Sequence, residues 1–133
     1  MKFVVIAVLL LLQLSVCSQN LSESSWQLIS IDDLETGISK DIAATAKATL
    51  RFEGDSSYSG RFCNTYKGNY KHNQDKIIRM GVPQATRMLC MGIDKYEKEM
   101  FALMVLVNSY RLEDDKLFLF TTNHKRLSYK KTK

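Results

Sequence analysis

The chain alternates apolar and polar residues over many short segments, and this pattern constrains its fold more than any other feature. The clearest example is residues 47–53, where Ala48, Leu50 and Phe52 alternate with polar residues. A two-residue period is typical of a strand with one buried face. Turn-forming residues separate such segments, as at residues 54–57. The pattern therefore predicts antiparallel hairpins.

Other short segments fit the same interpretation. The predicted strands, in chain order, are residues 25–31, 47–53, 58–62, 69–72, 76–80, 109–112, 116–121 and 127–129. Consecutive members of this series form three predicted hairpins, with turns at residues 54–57, 73–75 and 113–115. Residues 32–45 and 64–68 are predicted to be irregular. Ser59-Gly60 and Gly68 are interpreted as residues that shape the backbone.

One helix is predicted, at residues 94–107. Asp94 is a candidate cap with Glu97 at the capping-box spacing. Residues 100–107 are apolar on every side, which predicts burial on every side, with Phe101 and residues 103–107 the least exposed stretch. A strand over residues 103–107 remains an alternative. Short antiparallel strands with one buried helix indicate a single α+β domain with a curved sheet or barrel.

The N-terminus is typical of a targeting segment. Lys2 precedes ten uninterrupted apolar residues, 3–12, too few for a membrane span but suitable for a signal peptide. Cleavage after Ser18 would leave residues 19–133 as the mature domain. The alternative is a lipoprotein signal, residues 1–16, with Cys17 as the lipidated residue. Both interpretations place the mature chain outside the cytoplasm, secreted, periplasmic or membrane-anchored.

Length and charge exclude several classes of protein. The 133 residues are 45% hydrophobic and 25% charged, which suits one globular domain and no disordered tail or coiled coil. The net charge of +5 falls to +4 without Lys2, and the excess lies after Asp115. We expect this basic segment to be an edge strand protected by lysines. No nucleic-acid-binding motif accompanies it.

The cysteines allow two interpretations. Without Cys17, the mature chain keeps Cys63 and Cys90. An even number of cysteines in an exported chain favours a disulfide between them. Two buried free thiols are the alternative.

The residues that could carry catalysis or bind a metal do not form a recognisable site. His72 and His124, the only histidines, match no zinc spacing with Cys63 and Cys90. No cofactor-binding loop or paired-carboxylate motif is present, so no cofactor and no catalytic residue is expected. A methionine-rich set is interpreted as core filling, with an adaptable binding surface as the alternative. Its members are Met88, Met91, Met100 and Met104.

Two sequence blocks resemble those of META domains, the HslJ-like family. The first is Ser-Gly-Arg-Phe-Cys-Asn-Thr-Tyr-Lys-Gly-Asn-Tyr at residues 59–70, and the second is Ala-Thr-Arg-Met-Leu-Cys at residues 85–90. Glu97, Phe101 and Leu106 follow as in the helix of the family, and the resemblance extends from Trp26 to Tyr129. The departures are Phe62 and Leu89, where smaller residues are frequent.

The resemblance implies a fold and a general role. It implies a partly open, conical barrel of mostly antiparallel strands around one buried helix, in which a Cys63–Cys90 bridge would fix the start of the helix to the sheet. It also implies no established catalysis and an association with stress response, antibiotic tolerance or virulence. We therefore expect a non-enzymatic binding or structural role, with another envelope or extracellular protein as the partner.

Two other functions stay open. One is binding of a lipid or a small amphiphile, because a curved sheet can leave a hydrophobic mouth. The other is a cysteine-based thiol exchange enzyme, which would require a reactive thiolate at Cys63 or Cys90.

Overall fold

The structure, a computed structural model, describes residues 20–132. Ten strands, one 3₁₀ helix and one α-helix make up the domain. In chain order they are β1 Ser25–Asp33, β2 Ser39–Asp41, the 3₁₀ helix Ala44–Ala46, β3 Thr49–Glu53, β4 Ser57–Arg61, β5 Thr65–His72, β6 Ile78–Met80, β7 Gln84–Ala85, α1 Asp94–Met104, β8 Val107–Glu113, β9 Lys116–Thr121 and β10 Lys125–Lys131. Within residues 20–132, no helix has the length and apolarity to cross a bilayer.

The strands form a nearly closed barrel. Their order is β6-β5-β4-β3-β1-β10-β9-β8, with β2 added to β1 and β7 added to β5. All pairings are antiparallel. A bridge between Ile77 and Ser109 joins the two outermost strands of this order, and the amide of Tyr110 donates to the carbonyl of Lys76 at 2.9 Å. The expected α+β barrel-like fold is confirmed.

The barrel has two different ends. We call the end that holds Ser22, the β3–β4 turn and His72 the entry end, because the described chain begins there. Ser22 donates a hydrogen bond to Asp55 in that turn. We call the other end, which holds the β4–β5 turn, α1 and the start of β8, the helix end. Helix α1 lies across it, with Glu97 bonded to Asn64 on one side and Glu99 paired with Lys40 on the other.

Sequence alternation explains the core. In β3, Leu50 and Phe52 are buried while the residues between and beside them are exposed, as the alternation predicts. All three predicted hairpins form, as β3–β4, β5–β6 and β8–β9. Apolar residues of both halves of the chain share one core, which includes Trp26, Leu28, Leu117 and Leu127.

Two glycine–tyrosine pairs set the spacing between β4 and β5. Gly60 lies opposite Tyr66, and Tyr58 lies opposite Gly68. A methyl group on either glycine would overlap the ring of its partner. The Tyr58 hydroxyl donates to the carbonyl of Gly81 at 2.6 Å, and burial raises the pKa of Tyr58 to about 12, so this donor stays protonated. The glycines therefore shape the sheet, as expected.

Residues 64–68 are not irregular, and this expectation was wrong. Strand β5 begins at Thr65 and runs to His72, with Tyr66 and Tyr70 buried and Lys67 and Asn69 exposed. Gly68 hides this alternation in the sequence, because a glycine between two tyrosines resembles a turn residue. The predicted loop at residues 32–45 also contains β2 and the 3₁₀ helix.

The prediction that the helix is buried on every side was wrong. Helix α1 ends at Met104, and Val107 already belongs to β8. Met100, Leu103 and Met104 are buried, whereas Phe101 is half-buried and Ala102, Val105 and Leu106 are exposed. The helix lies across one end of the barrel, so only one of its faces meets the core. Neither Asp94 nor another side chain caps it.

The basic C-terminal segment is not an edge strand, which corrects the expectation. Strand β10 pairs with both β1 and β9. Lys125 forms an ion pair with Asp33 at 2.7 Å, and Arg126 pairs with Asp32 at 2.9 Å. The hydrogen bond from Lys125 lowers the pKa of Asp33 to about 2. Part of the positive charge is therefore neutralised within the fold.

The glycine–tyrosine pairing yields a test. Gly68→Ala should lower the free energy of unfolding by about 1–3 kcal/mol, because the added methyl group meets the ring of Tyr58. In a Tyr58→Leu background the same change should cost much less, because the nearest atoms all belong to Tyr58. Chemical denaturation of the four proteins measures both costs.

Gly60 provides the matched control. A methyl group there would also meet the backbone carbonyl of Thr49, so Tyr66→Leu should not rescue Gly60→Ala. Additive losses for the Gly68 and Tyr58 variants would contradict this account.

Candidate functional site

A buried carboxylate joins α1 to the β4–β5 turn. Glu97 is 5% exposed, and its two oxygens accept hydrogen bonds from the backbone amide and the side-chain amide of Asn64, both at 2.6 Å. A buried carboxylate is stable only when its acceptors are satisfied. The Glu97–Asn64 joint therefore fixes where α1 begins on the barrel. The sequence predicted that Glu97 caps the helix. In the structure its carboxylate instead joins the helix to the β4–β5 turn.

The same asparagine holds the segment before the helix, residues 81–93, which we call the apolar loop. The side-chain oxygen of Asn64 accepts from the amide of Met88 at 2.6 Å and from the hydroxyl of Thr86 at 3.0 Å. Its side-chain nitrogen also donates to the carbonyl of Met88 at 3.2 Å. One asparagine thus links the turn, the loop and the helix.

Cys63 and Cys90 provide a second attachment for the apolar loop. The two residues lie at disulfide distance, with their Cα atoms 5.7 Å apart, which is usual for bridged cysteines. The structure supports the predicted pair, and the bridge connects the β4–β5 turn to the residues just before α1. Cys63 is buried, which does not suit an accessible nucleophile.

The apolar loop exposes large hydrophobic side chains. Val82 is 77% exposed, Met88 57%, Leu89 79% and Met91 92%. Core filling was therefore the wrong expectation for Met88 and Met91, although it holds for Met100 and Met104, which are buried. Exposed apolar residues concentrated on one anchored segment make this segment a candidate interaction surface. The composition alone could not distinguish the exposed Met88 and Met91 from the buried Met100 and Met104.

A groove of about 480 Å³ runs between the apolar loop and α1. Met88, Leu89 and Arg87 line it from the loop, and Lys98 and Phe101 line it from the helix. The ring of Phe101 also packs edge-on against Tyr66, with the ring centroids 5.2 Å apart. The groove thus combines apolar side chains with two cationic groups, and the carboxylates of Asp94 and Glu97 also line it.

The other residues considered in the sequence do not converge on this groove. His72 lies at the entry end, where its ring stacks on Tyr70, while His124 follows β9 at the helix end and faces Glu35. Among residues 20–132, no three His, Cys, Asp or Glu side chains are grouped as a metal ion would require. Cys17, the candidate lipidation site, lies outside the described residues, as does the proposed cleavage site after Ser18.

The fold and this joint define a class: a small barrel-like domain of antiparallel strands, with one helix and one anchored loop at the same end. The model of the META domain family matches residues 19–133. The chain belongs to the META domain family. The two sequence blocks now have physical roles, since the first supplies Gly60, Gly68, Tyr66 and Asn64, and the second supplies Thr86, Met88 and Cys90.

Solved structures share the fold. The NMR structure of a protein from Burkholderia xenovorans is similar with a TM-score of 0.71 and 22% identity, over 84% of this chain and 83% of that chain. The crystal structure of a DUF4847 family protein from Bacteroides vulgatus has a TM-score of 0.62 and 10% identity, over 83% and 93% of the two chains. At these identities the likeness shows the fold alone. Among curated protein sequences, none shows significant similarity to this chain.

The joint yields a second test. Asn64→Ala leaves one oxygen of the Glu97 carboxylate and the amide of Met88 without partners, so it should cost about 2–5 kcal/mol of unfolding free energy. Glu97→Ala should cost a similar amount, and the double variant less than the sum, because both changes remove the hydrogen bond between the side-chain amide of Asn64 and Glu97. Thermal and chemical denaturation measure these losses.

Lys98→Ala is the control on the exposed side of α1, and it should change the unfolding free energy by less than about 0.5 kcal/mol. Strictly additive losses for Asn64 and Glu97, or losses no larger than that of the control, would refute the role of the joint.

Proposed function

We propose that this META domain is a non-enzymatic binding module that works outside the cytoplasm, and that the apolar loop is its binding surface. The observation that carries the proposal is the exposure of Leu89 and Met91, at 79% and 92%, on a segment fixed by Asn64 and by the Cys63–Cys90 pair. A loop that is held in place but displays apolar side chains can bind a partner with little loss of conformational entropy.

Export is supported by two sequence features. The N-terminal segment has the pattern of a signal peptide, and a disulfide persists in an oxidising compartment. The proposal covers a secreted or periplasmic domain cleaved after Ser18, and equally a lipoprotein held through Cys17.

The partner we propose is another protein of the envelope or the extracellular space. Exposed methionine and leucine side chains suit such a contact because methionine adapts its shape to different surfaces. A role in stress response or antibiotic tolerance is compatible with such a binding module. Thiol exchange gains no support, since Cys63 is 3% exposed.

Photo-crosslinking in the native cells tests this function. A photoreactive amino acid in place of Met91 should give a discrete adduct with one protein, because this side chain is 92% exposed on the proposed surface. Leu89→Ser should abolish the adduct while leaving the melting temperature within about 2 °C of the parent protein, as expected for an exposed position.

The matched control places the photoreactive residue at Lys116, an exposed position of β9 at the entry end. It should give no such adduct. Equal adducts from both positions, or none from position 91, would refute the apolar loop as the binding surface.

A further inference from the structure

The groove beside the apolar loop has two exposed cationic side chains. Arg87 and Lys98 both line it, both are exposed, and neither side chain forms an ion pair or a hydrogen bond within residues 20–132. Two carboxylates also line the groove. Glu97 is already occupied by Asn64, and Asp94 is half-buried in the first turn of α1. The four side-chain charges cancel in number, but both cations are exposed whereas neither carboxylate is.

The rest of the lining is mostly apolar, with Asn64 and Thr86 as polar members. Met88 and Leu89 face Phe101 across the groove between loop and helix. The volume of about 480 Å³ lies within the range of small-molecule sites, about 300–1,000 Å³. A groove that combines apolar side chains with two exposed, unpaired cations matches a molecule with one apolar chain and one anionic head.

We propose that this groove binds a single-chain anionic amphiphile, whose chain packs against Met88, Leu89 and Phe101 and whose head group pairs with Arg87 and Lys98. This inference rests on the proposed function in taking the apolar loop as a binding surface, and it assigns a second, small ligand to the groove beside that loop. The guanidinium of Arg87 offers paired donors to a carboxylate or phosphate, and the ammonium of Lys98 adds a point charge. The interior of the barrel, filled by buried residues such as Tyr58, Tyr66 and Tyr129, is not the site.

Titration calorimetry of the oxidised full-length protein with laurate, below the micellar concentration, tests the inference. Laurate should bind saturably with one molecule per chain. Dodecyltrimethylammonium has the same chain and the opposite charge, and it should bind at least tenfold more weakly. Acetate has the same head without the chain, and it should show no saturable binding.

Matched variants assign the binding to the groove. The double variant Arg87→Gln/Lys98→Gln should weaken laurate binding at least tenfold, and Leu89→Ser should weaken it several-fold. Lys95→Gln/Lys116→Gln removes the same net charge outside the groove and should leave the affinity unchanged. Thermal melts confirm that every variant is folded.

Several results would overturn the proposal. These are no saturable laurate binding, equal affinity for the cationic amphiphile, or equal weakening by both double variants. Cosedimentation with phosphatidylglycerol vesicles without binding of monomeric laurate would make the surface a membrane contact. Self-association that depends on Leu89 would make it an interface between two copies. If laurate fails to bind but the adduct from position 91 persists, the amphiphile is wrong and the protein-binding function stands.

Discussion

The contact between Glu97 and Asn64 is the constraint on which the helix end depends. A carboxylate on a helix normally faces water, and its burial is favourable only because Asn64 supplies two donors at 2.6 Å. The side-chain oxygen of the same asparagine accepts from the amide of Met88, and its side-chain nitrogen, which also donates to Glu97, donates to the carbonyl of Met88. The position of α1 and the path of the apolar loop therefore depend on one residue in the β4–β5 turn. The Cys63–Cys90 pair adds a covalent link, whose stabilisation acts mainly on the unfolded chain.

The sequence predicted the positions of the strands and the helix better than which of their faces are buried. Alternation placed β3 and the three hairpins correctly because one face of each strand is buried. It missed the start of β5 because Gly68 carries no side chain to show the alternation, although the facing ring of Tyr58 occupies that space. It also misjudged α1, since periodicity records which residues are apolar and not how many sides of a helix meet the core.

The candidate site was less predictable because composition does not show which apolar side chains are exposed. Met88 and Met91 resemble core methionines in composition, and only the loop path imposed by Asn64 and Cys90 turns them outward. The family blocks therefore combine residues that build the helix end with residues that are displayed there. The resemblance could point to the segment, but exposure, the groove and the free charges of Arg87 and Lys98 required the three-dimensional arrangement.

Amide hydrogen exchange at Asn64 and Met88, in the oxidised and the reduced protein, tests the central role of the joint most directly. If the Glu97–Asn64 joint holds the helix end, both amides stay strongly protected after reduction, because their acceptors are side chains of the joint. The account would be contradicted if reduction alone made them exchange as fast as the amide of exposed Leu89, since the disulfide would then be what holds the loop.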